Sequence, residues 1–151
     1  MAGLVNKAKD LVADKIAHME KPSADLTDVD LDDISRDSVR LKSDVLINNP
    51  YDHDLPILEI TYRLRCGDRE ITSGTVGHNG SVAANSSTAI AVGSKVPYSF
   101  LVNLMRDIGA DWDIDYDFDV GVKLKLPIIH SFTIPLHKKG TFKLPTLSDI
   151  F

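Results

Sequence analysis

Between residues 111 and 126, apolar residues alternate with charged residues or glycine along the chain. The apolar positions are Trp112, Ile114, Tyr116, Phe118, Val120, Val122, Leu124 and Leu126. A period of two places all of these side chains on one side of an extended strand, whereas a helix would spread them around its circumference. The pattern therefore predicts a strand of an antiparallel sheet with one buried face. Because the run exceeds the length of an ordinary strand, we expect a bend or bulge near Gly121.

Shorter segments with the same alternation predict the other strands of a mostly β chain. These strands are expected at residues 29–31, 39–47, 58–66, 71–76, 88–96, 128–136 and 141–144. Tight turns are expected at Gly67-Asp68 and Asn79-Gly80, because these residue types adopt the backbone angles that such turns require. Pro127 and Pro135 cannot donate a backbone hydrogen bond, so the strands near them are expected at a sheet edge or a strand end.

The strand at residues 58–66 illustrates how the alternation assigns side chains to faces. The set expected on the buried face is Leu58, Ile60, Tyr62, Leu64 and Cys66. Between them stand polar or charged residues, which predicts a solvent-facing second side. Before this strand, Asn49-Pro50 interrupts the chain, because proline lacks a donor and keeps the preceding residue extended.

Two segments follow the 3.6-residue period of a helix instead. One begins at Pro97, which suits the first position of a helix, and is expected to end at Gly109. Its apolar stripe consists of Tyr98, Leu101, Val102, Met105 and Ile108. The other covers residues 1–20 and ends before Pro22. Its stripe consists of Leu4, Ala8, Leu11, Val12, Ile16 and Met19, with Lys7, Asp10, Asp14 and Lys15 mostly off it. This helix could dock on the domain, fray in solvent or lie on a membrane surface.

The elements together predict a mostly β protein of the α+β kind. We expect an antiparallel two-sheet β-sandwich of immunoglobulin or fibronectin type III style, with an N-terminal helix and one inserted helix. A closed barrel is the alternative architecture. The predicted organisation is an amphipathic helix at residues 1–22 followed by a single sandwich domain at residues 23–151, which is long enough to bury a sizeable core.

Composition limits the class of protein, the kind of partner and the cellular compartment that we expect. A hydrophobic fraction of 43% with 26% charged residues is typical of a globular domain. The formal net charge of −5 argues against nucleic-acid binding, which requires clustered lysine and arginine. Cys66 is the only cysteine, so no disulfide framework can form and a reducing compartment is expected. No apolar run reaches the length of a membrane span, and charges interrupt the N-terminus where a signal peptide would be apolar. We therefore expect the cytosol.

An aspartate ladder within the first strand raises the question of calcium binding. Its members are Asp111, Asp113, Asp115, Asp117 and Asp119. An EF-hand loop beginning at the first of them needs glycine at its sixth position and glutamate at its twelfth, where Tyr116 and Val122 stand. The spacing is explained by the strand alternation, so we favour a solvated face and keep a weak cation site as the alternative. A second acidic group receives the same interpretation: Asp25, Asp28, Asp30, Asp32 and Asp33.

The sequence predicts no catalytic, cofactor-binding or metal-ligating residue. Its five histidines lack zinc-site spacing and are expected on loops or strand surfaces: His18, His53, His78, His130 and His137. Cys66 falls on the apolar side of its strand, where an inert buried thiol is expected. No serine stands in a nucleophile-elbow motif, and no glycine-rich phosphate loop precedes a helix.

A series of short motifs, in order along nearly the whole chain, resembles the folded, hydrophobic class of late embryogenesis abundant proteins of plants, which share a water-stress and hypersensitive-response domain. The motifs are Lys7-Ala8-Lys9-Asp10, Thr27-Asp28-Val29-Asp30, Arg36-Asp37-Ser38-Val39, Asn49-Pro50-Tyr51, Arg69-Glu70-Ile71, Val96-Pro97-Tyr98-Ser99, Asp111-Trp112-Asp113-Ile114-Asp115-Tyr116, Phe132-Thr133-Ile134-Pro135 and Leu144-Pro145. The chain departs from the family pattern at residues 77–81, where a Pro-Asp-Pro-Gly-Ser turn is common. The resemblance implies accumulation under desiccation, salt or light stress, a cytosolic location and no catalytic residues.

The predicted function is therefore that of a non-enzymatic stress-response protectant or binding module. Most late embryogenesis abundant proteins are hydrophilic and disordered until dried, but this composition predicts a chain that is folded in dilute water. The alternative is a lipid or membrane-surface binding module that acts through the N-terminal amphipathic helix or an apolar groove. A calcium-responsive module built on the aspartate ladder is a third hypothesis. The expected partners are client proteins or a membrane surface, the expected state is a monomer, and no cofactor is expected.

Overall fold

The computed structural model describes residues 21–77, 80–109, 112–127 and 130–145. Within these ranges the chain forms nine strands and one helix. In chain order they are β1 (Ser23–Leu26), β2 (Asp30–Asp32), β3 (Ser38–Asn48), β4 (Leu55–Cys66), β5 (Arg69–Gly77), β6 (Ser81–Val82), β7 (Ser87–Pro97), α1 (Tyr98–Asp107), β8 (Asp113–Leu124) and β9 (Phe132–Lys143). The helix expected at residues 1–22 and the turn residues His78 and Asn79 fall almost wholly outside the described residues.

The strands form two antiparallel sheets. In the first sheet, β7 pairs along the full length of β3, and β1 and β2 follow one another along the opposite edge of β3. In the second sheet the strand order is β5-β4-β8-β9, and the short β6 pairs with the beginning of β4. The prediction of a mostly β chain with antiparallel sheets and an inserted helix is confirmed, and the arrangement is consistent with a β-sandwich.

One hydrophobic core lies between the two sheets. Alternating residues of β3 are buried, and those of β8 are buried in the same way from Ile114 to Leu124. The side chains that are almost fully buried include Val39, Val45, Ile47, Ile60, Leu64, Ile114 and Leu124. Helix α1 contributes Leu101 and Leu104 to the same cluster. Burial of each such side chain stabilises the fold by about 1.5–3 kcal/mol.

Of the bend or bulge expected near Gly121, a bulge within β8 is wrong, because β8 pairs with β9 without a break from Asp113 to Leu124. The irregularity lies in the other neighbour, β4, where Ile57 and Glu59 face consecutive residues of β8. The extra residue is Leu58, and the bulge turns its side chain outward, so that it is 41% exposed. The expectation that this leucine is buried is therefore wrong, and Ile57 takes its place in the core.

The two last strands predicted at residues 128–136 and 141–144 are a single strand, β9. Gly140, between the two predicted segments, lies within β9, and the ring of Tyr116 on the paired strand β8 leaves no space there for a larger side chain. The Tyr116 hydroxyl in turn accepts a hydrogen bond from the Val29 amide at 3.0 Å and so links the two sheets. Pro135 lies in this edge strand, as expected from its missing donor.

Helix α1 begins one residue after Pro97 and is followed by Gly109, whose φ of +70° confirms the predicted end of the helix. The stripe that it buries differs from the predicted one at the C-terminal end. Leu104 is buried, whereas Ile108 lies beyond the last helical residue and is 41% exposed. No helix among the described residues has the length and apolar character needed to cross a membrane.

Asn49 closes the connection between β3 and β4. Its side chain is buried, with Nδ2 at 2.9–3.2 Å from the carbonyl oxygens of His53, Val82 and Ala83. Its Oδ1 accepts a hydrogen bond from the Tyr51 amide at 2.9 Å. The Asn-Pro-Tyr motif therefore satisfies backbone groups that a loop would otherwise leave unpaired inside the protein.

We expect Asn49→Ala to lower the free energy of unfolding by about 2–4 kcal/mol, because several buried backbone groups lose their partner. Asn48→Ala is the matched control, since the neighbouring asparagine is exposed and its side chain, among the described residues, accepts a hydrogen bond from the Ser87 hydroxyl alone. It should cost less than about 1 kcal/mol. Urea denaturation of both variants measures the difference, and equal losses would contradict a structural role specific to Asn49.

Candidate functional site

The outer side of the second sheet carries a dense set of charged side chains. They come from alternating positions of β4, β8 and β9, because residues two apart on a strand share a face. We call this set the charged face: Arg63, Arg65, Asp113, Asp115, Asp117, Asp119, His137, Lys139, Thr141 and Lys143. The four described members of the predicted aspartate ladder lie in its middle strand, and Asp111 lies outside the described residues.

The aspartates of the charged face are paired with groups on the neighbouring strands. Asp119 accepts a hydrogen bond from Arg65 of β4 at 2.9 Å and lies 2.6 Å from Nδ1 of His137 on β9. Asp117 lies 3.3 Å from the other ring nitrogen of His137 and 3.7 Å from the Lys139 ammonium. These contacts identify the ladder as a cross-strand ion-pair network, which offsets the repulsion between its carboxylates.

The remaining ladder residues follow the same arrangement. Asp115 accepts a hydrogen bond from the Thr141 hydroxyl at 2.5 Å, and Asp113 lies opposite Lys143 in the register of β8 and β9. Across the residues that the structure describes, no three His, Cys, Asp or Glu side chains converge as a metal site would require. The described residues of the ladder therefore face side chains of β4 and β9 to which they bond or lie opposite.

The pKa of Asp119 is held below its ordinary value, chiefly by the hydrogen bond with His137. Partial burial opposes this effect, and the Arg65 guanidinium adds to it. The ionised form of the Asp119 carboxylate is thus stabilised by its two neighbours. Its side chain is nevertheless 41% exposed, so solvent screens much of the interaction.

The second acidic group lies on the first sheet and does not form a common site. Three of its five members pair with lysines of three different strands: Asp32 with Lys42 at 3.8 Å, Asp33 with Lys95 at 3.8 Å and Asp28 with Lys138 at 3.5 Å. The last of these pairs crosses from the first sheet to β9 of the second. The group therefore contributes surface ion pairs of small individual stability.

Cys66 is buried at the end of β4, as predicted. Burial raises the pKa of its thiol, and the carboxylates of Asp115 and Asp117 raise it further, whereas Arg69 acts in the opposite direction. Both dominant effects disfavour the reactive thiolate. The structure thus supports the prediction of a structural cysteine.

The histidines of the described residues are dispersed. His53 stacks on Tyr51 with ring centroids 5.4 Å apart and contacts Asp52 at 3.3 Å. His137 belongs to the charged face, and His130 is exposed before β9. His18 and His78 lie outside the described residues. This dispersion agrees with the prediction of surface histidines.

The space between the two sheets is nearly filled. A cavity of about 10 Å³ lies near the edge where β5 meets β7, beside the hydrogen bond from Thr72 to Ser94 at 2.9 Å. This volume holds about one water molecule. This cavity is therefore too small for an organic ligand.

Two open grooves on the surface combine apolar and polar side chains. The Leu46 groove, of about 420 Å³, lies on the outer side of the first sheet. The residues that form it are Ser23, Asp25, Leu46, Ile47, Asn48, Ser87, Thr88 and Ala89. The helix groove, of about 280 Å³, lies between α1 and the beginning of β5, where Phe100 is 40% exposed and Arg69 bonds Asp107 at 2.8 Å.

Sequence reasoning did not identify either groove. The available signal for the Leu46 groove was a leucine on the polar side of the alternating strand β3, between Asp44 and Asn48. For the helix groove it was Phe100, an aromatic residue off the buried stripe of α1. An exposed large apolar side chain that breaks a clean alternation marks a candidate contact surface when a groove lies beside it.

We expect Asp119→Asn to lower the stability at neutral pH by less than about 1 kcal/mol, because the carboxylate is half-exposed. Since the folded pKa lies below the unfolded value, this contribution is complete above the unfolded pKa and disappears as the pH falls through the folded one. The stability difference between the two proteins should therefore shrink as the pH falls below about 4. Asp113→Asn is the control, at an exposed position of the same strand, and urea denaturation at neutral pH should show a smaller loss of stability for it than for Asp119→Asn.

Comparisons with known proteins extend these observations. A family described as "Late embryogenesis abundant protein" matches residues 44–140. The late embryogenesis abundant protein Lea14-A of Gossypium hirsutum is 52% identical over 100% of both chains. The desiccation protectant protein Lea14 homolog of Glycine max is 51% identical over 100% of this chain and 99% of its own. A solution structure of an Arabidopsis thaliana protein matches with a TM-score of 0.71 and 48% identity over 100% of both chains. With a family match across most of its length and relatives of this similarity, the chain belongs to the late embryogenesis abundant family.

Proposed function

We propose that this chain is a non-enzymatic stress-response protein that protects or binds client proteins in its folded form. The stress setting is supported by relatives named for desiccation and desiccation protection at about half identity over the whole chain. The observation that carries the folded form is the single core between the two sheets, in which residues of both sheets and of α1 are almost fully buried. A chain that protects by disorder lacks such a core.

The charged face supports a physical basis for stress tolerance. Its ion pairs join β8 to both of its neighbours, β4 and β9. As water is withdrawn, the effective dielectric constant around these pairs falls, and each attraction grows. Stronger attraction between β8 and its neighbours is the basis on which we propose that the sheet resists drying. A folded surface of paired charges can separate client molecules without unfolding itself.

Strand order supports the finer assignment of the fold to the immunoglobulin and fibronectin type III kind. We count β1 and β2 as one interrupted strand and leave out the short β6, so that seven principal strands remain. The first sheet then contains the first, second and fifth of them, which are β1–β2, β3 and β7, and the second sheet contains β4, β5, β8 and β9. This division is that of an immunoglobulin-like sandwich whose fourth strand, β5, joins the sheet of β4. Helix α1 is then an insertion between β7 and β8, the fifth and sixth principal strands.

We also propose a cellular compartment, an oligomeric state and a class of partner for this chain. A net charge of −5 favours a protein that does not bind nucleic acid. A single buried cysteine favours a reducing compartment, for which we propose the cytosol. We propose a monomer as the acting species, and clients of mixed type rather than one specific partner.

The proposal predicts that protection requires the fold. Ile114→Asp places a charge at a position that is fully buried and should unfold the chain, whereas Leu58→Asp makes the same type of change at an exposed position. After drying and rehydration of lactate dehydrogenase as a probe client, the Leu58→Asp protein should preserve enzyme activity as well as the original chain does. The Ile114→Asp protein should preserve little. Equal protection by the unfolded variant would contradict the proposal, and circular dichroism verifies the folded state of each protein.

The alternative function, binding to a lipid or membrane surface, is supported by the apolar stripe of residues 1–20 and by exposed Leu46 and Phe100 beside the two grooves. It predicts that full-length protein floats with anionic lipid vesicles and that Leu11→Asp with Val12→Asp prevents flotation. If both proteins stay with the soluble fraction, this alternative is excluded. If the original chain alone floats, lipid binding becomes the better description.

A further inference from the structure

Strand β7 is an edge strand of the first sheet. Within the described residues it pairs with β3 alone, so no neighbouring strand there bonds the backbone groups along its other side. Lys95 is its only charged residue, and residues 88–94 contain neither a charge nor a proline. A long edge that is rich in β-branched residues and lacks charge and proline is prone to pair with another strand.

The other edges of the two sheets carry features that discourage such pairing. Edge strand β9 contains Pro135 and four basic residues, which are His137, Lys138, Lys139 and Lys143. Strands β1 and β2 are short and contain aspartates. Edge strand β5 begins with Arg69 and Glu70 and contains two glycines, which are weak strand formers. Among the edges that the structure describes, β7 is therefore the one best suited to accept a strand.

The contact between β5 and β7 leaves this edge open. The Thr72 hydroxyl of β5 donates a hydrogen bond to the Ser94 hydroxyl at 2.9 Å. Ser94 shares the inner side of β7 with buried Val92 and Val96, so this bond runs from one sheet to the other. It does not occupy the edge of β7 in the plane of the first sheet. A strand can therefore be added there without breaking the sandwich.

The sequence of the edge is complementary to itself. With a second copy antiparallel about a two-fold axis at Ala91, residues of like type lie opposite one another: Ile90 and Val92, Ala89 and Gly93, Thr88 and Ser94. β-Branched side chains then meet on the inner side, small residues on the outer side and hydroxyls at both ends. Lys95 lies opposite Ser87, so no like charges face each other. This match favours a second copy of the chain as the occupant.

We propose that β7 is a contact between two copies of the chain, paired antiparallel about a two-fold axis at Ala91. The two first sheets then form one continuous sheet, and the charged face of each second sheet stays free. A contact of one strand pair is smaller than the interface of a typical stable complex, which buries about 800 Å² per partner. Dilute protein is therefore the monomer proposed above, and the dimer forms by mass action as drying concentrates the chain.

A two-fold contact of this kind also limits further assembly. It uses each β7 edge once, so association ends at the dimer instead of growing into a filament. The pair covers the one long edge that lacks charge and proline, and the edges left outside are those with protective residues. The chain can thus become concentrated without uncontrolled pairing of edges.

A spin label tests the contact in the full-length chain. Isotope-labelled original protein is mixed with unlabelled protein that carries a nitroxide at Asp44→Cys, an exposed position opposite Ala91 in the register of β3 and β7. At millimolar protein the nitroxide should weaken the NMR amide signals of residues 87–95 in the other copy, whose Ala91 lies two strand spacings away, or about 10 Å. At micromolar protein the signals should recover.

The control label is a nitroxide at Thr133→Cys, an exposed position on β9 at the far edge of the second sheet. It should leave the signals of residues 87–95 unchanged. Treatment of the original chain with the label checks that buried Cys66 stays unmodified. Full signal intensity at millimolar protein with the Asp44→Cys label, or an equal loss with both labels, would overturn the proposal.

A charge exchange at the two-fold axis tests the register and the partner. Ala91→Lys and Ala91→Glu, at an exposed position, should each prevent pairing, because like charges then face each other across the axis. An equal mixture of the two proteins should pair again, because lysine faces glutamate. The same substitutions at exposed Ser73 of β5 should leave the pairing of each protein unchanged. Sedimentation analysis at high concentration measures the dimer, and a mixture that stays monomeric contradicts pairing about Ala91.

An extended segment of a client protein is the other possible occupant of this edge. If clients bind there, Ala91→Lys and Ala91→Glu should both reduce the protection of lactate dehydrogenase, and their mixture should not restore it. Together with an original chain that stays monomeric at millimolar concentration, that result overturns the proposal. The pairing tests use plain buffer without a client, so their outcome is independent of the protection assay.

Discussion

Burial of the inner faces of β4 and β8 is the interaction on which the rest of the structure depends. These two strands lie at the centre of the second sheet, and each has a neighbour on its other side. Their alternation directs Ile60, Leu64 and Phe118 into the core and directs charges outward. The same pleat therefore creates both the core and the charged face. A shift of one residue in their register would exchange the two faces, which makes the register strongly specified.

Much of this arrangement could be predicted from the sequence, because a period of two is a strong signal. The run through β8, the alternation of β3 and the end of α1 at Gly109 follow from local pattern alone. The bulge at Leu58 does not, because one extra residue in β4 becomes visible only against its partner strand. Gly140 is a similar case, because the Tyr116 ring that occupies the space beside it belongs to a different strand. Local patterns identify elements well, but they cannot specify contacts between strands.

The candidate site shows the same division. The aspartate ladder was evident in the sequence, whereas its partners Arg65 and His137 lie on strands distant along the chain. Once the register brings them together, a row of like charges becomes a network of pairs. The Leu46 groove was harder to anticipate, because it depends on small residues of β7 lying next to one leucine of β3. The charged face and the Leu46 groove both depend on the register between neighbouring strands. The spacing of residues within a single strand does not encode that register.

The buried core distinguishes this chain from sequences whose composition leaves them disordered in water. The central claim is that the chain holds one cooperative core in dilute buffer, and native-state amide hydrogen exchange measures it most directly. We predict that the slowest amides lie in the paired parts of β4 and β8, such as Leu64 and Phe118, and that they exchange together through global unfolding. Rapid exchange of these amides, at rates close to those of an unfolded chain, would contradict the account.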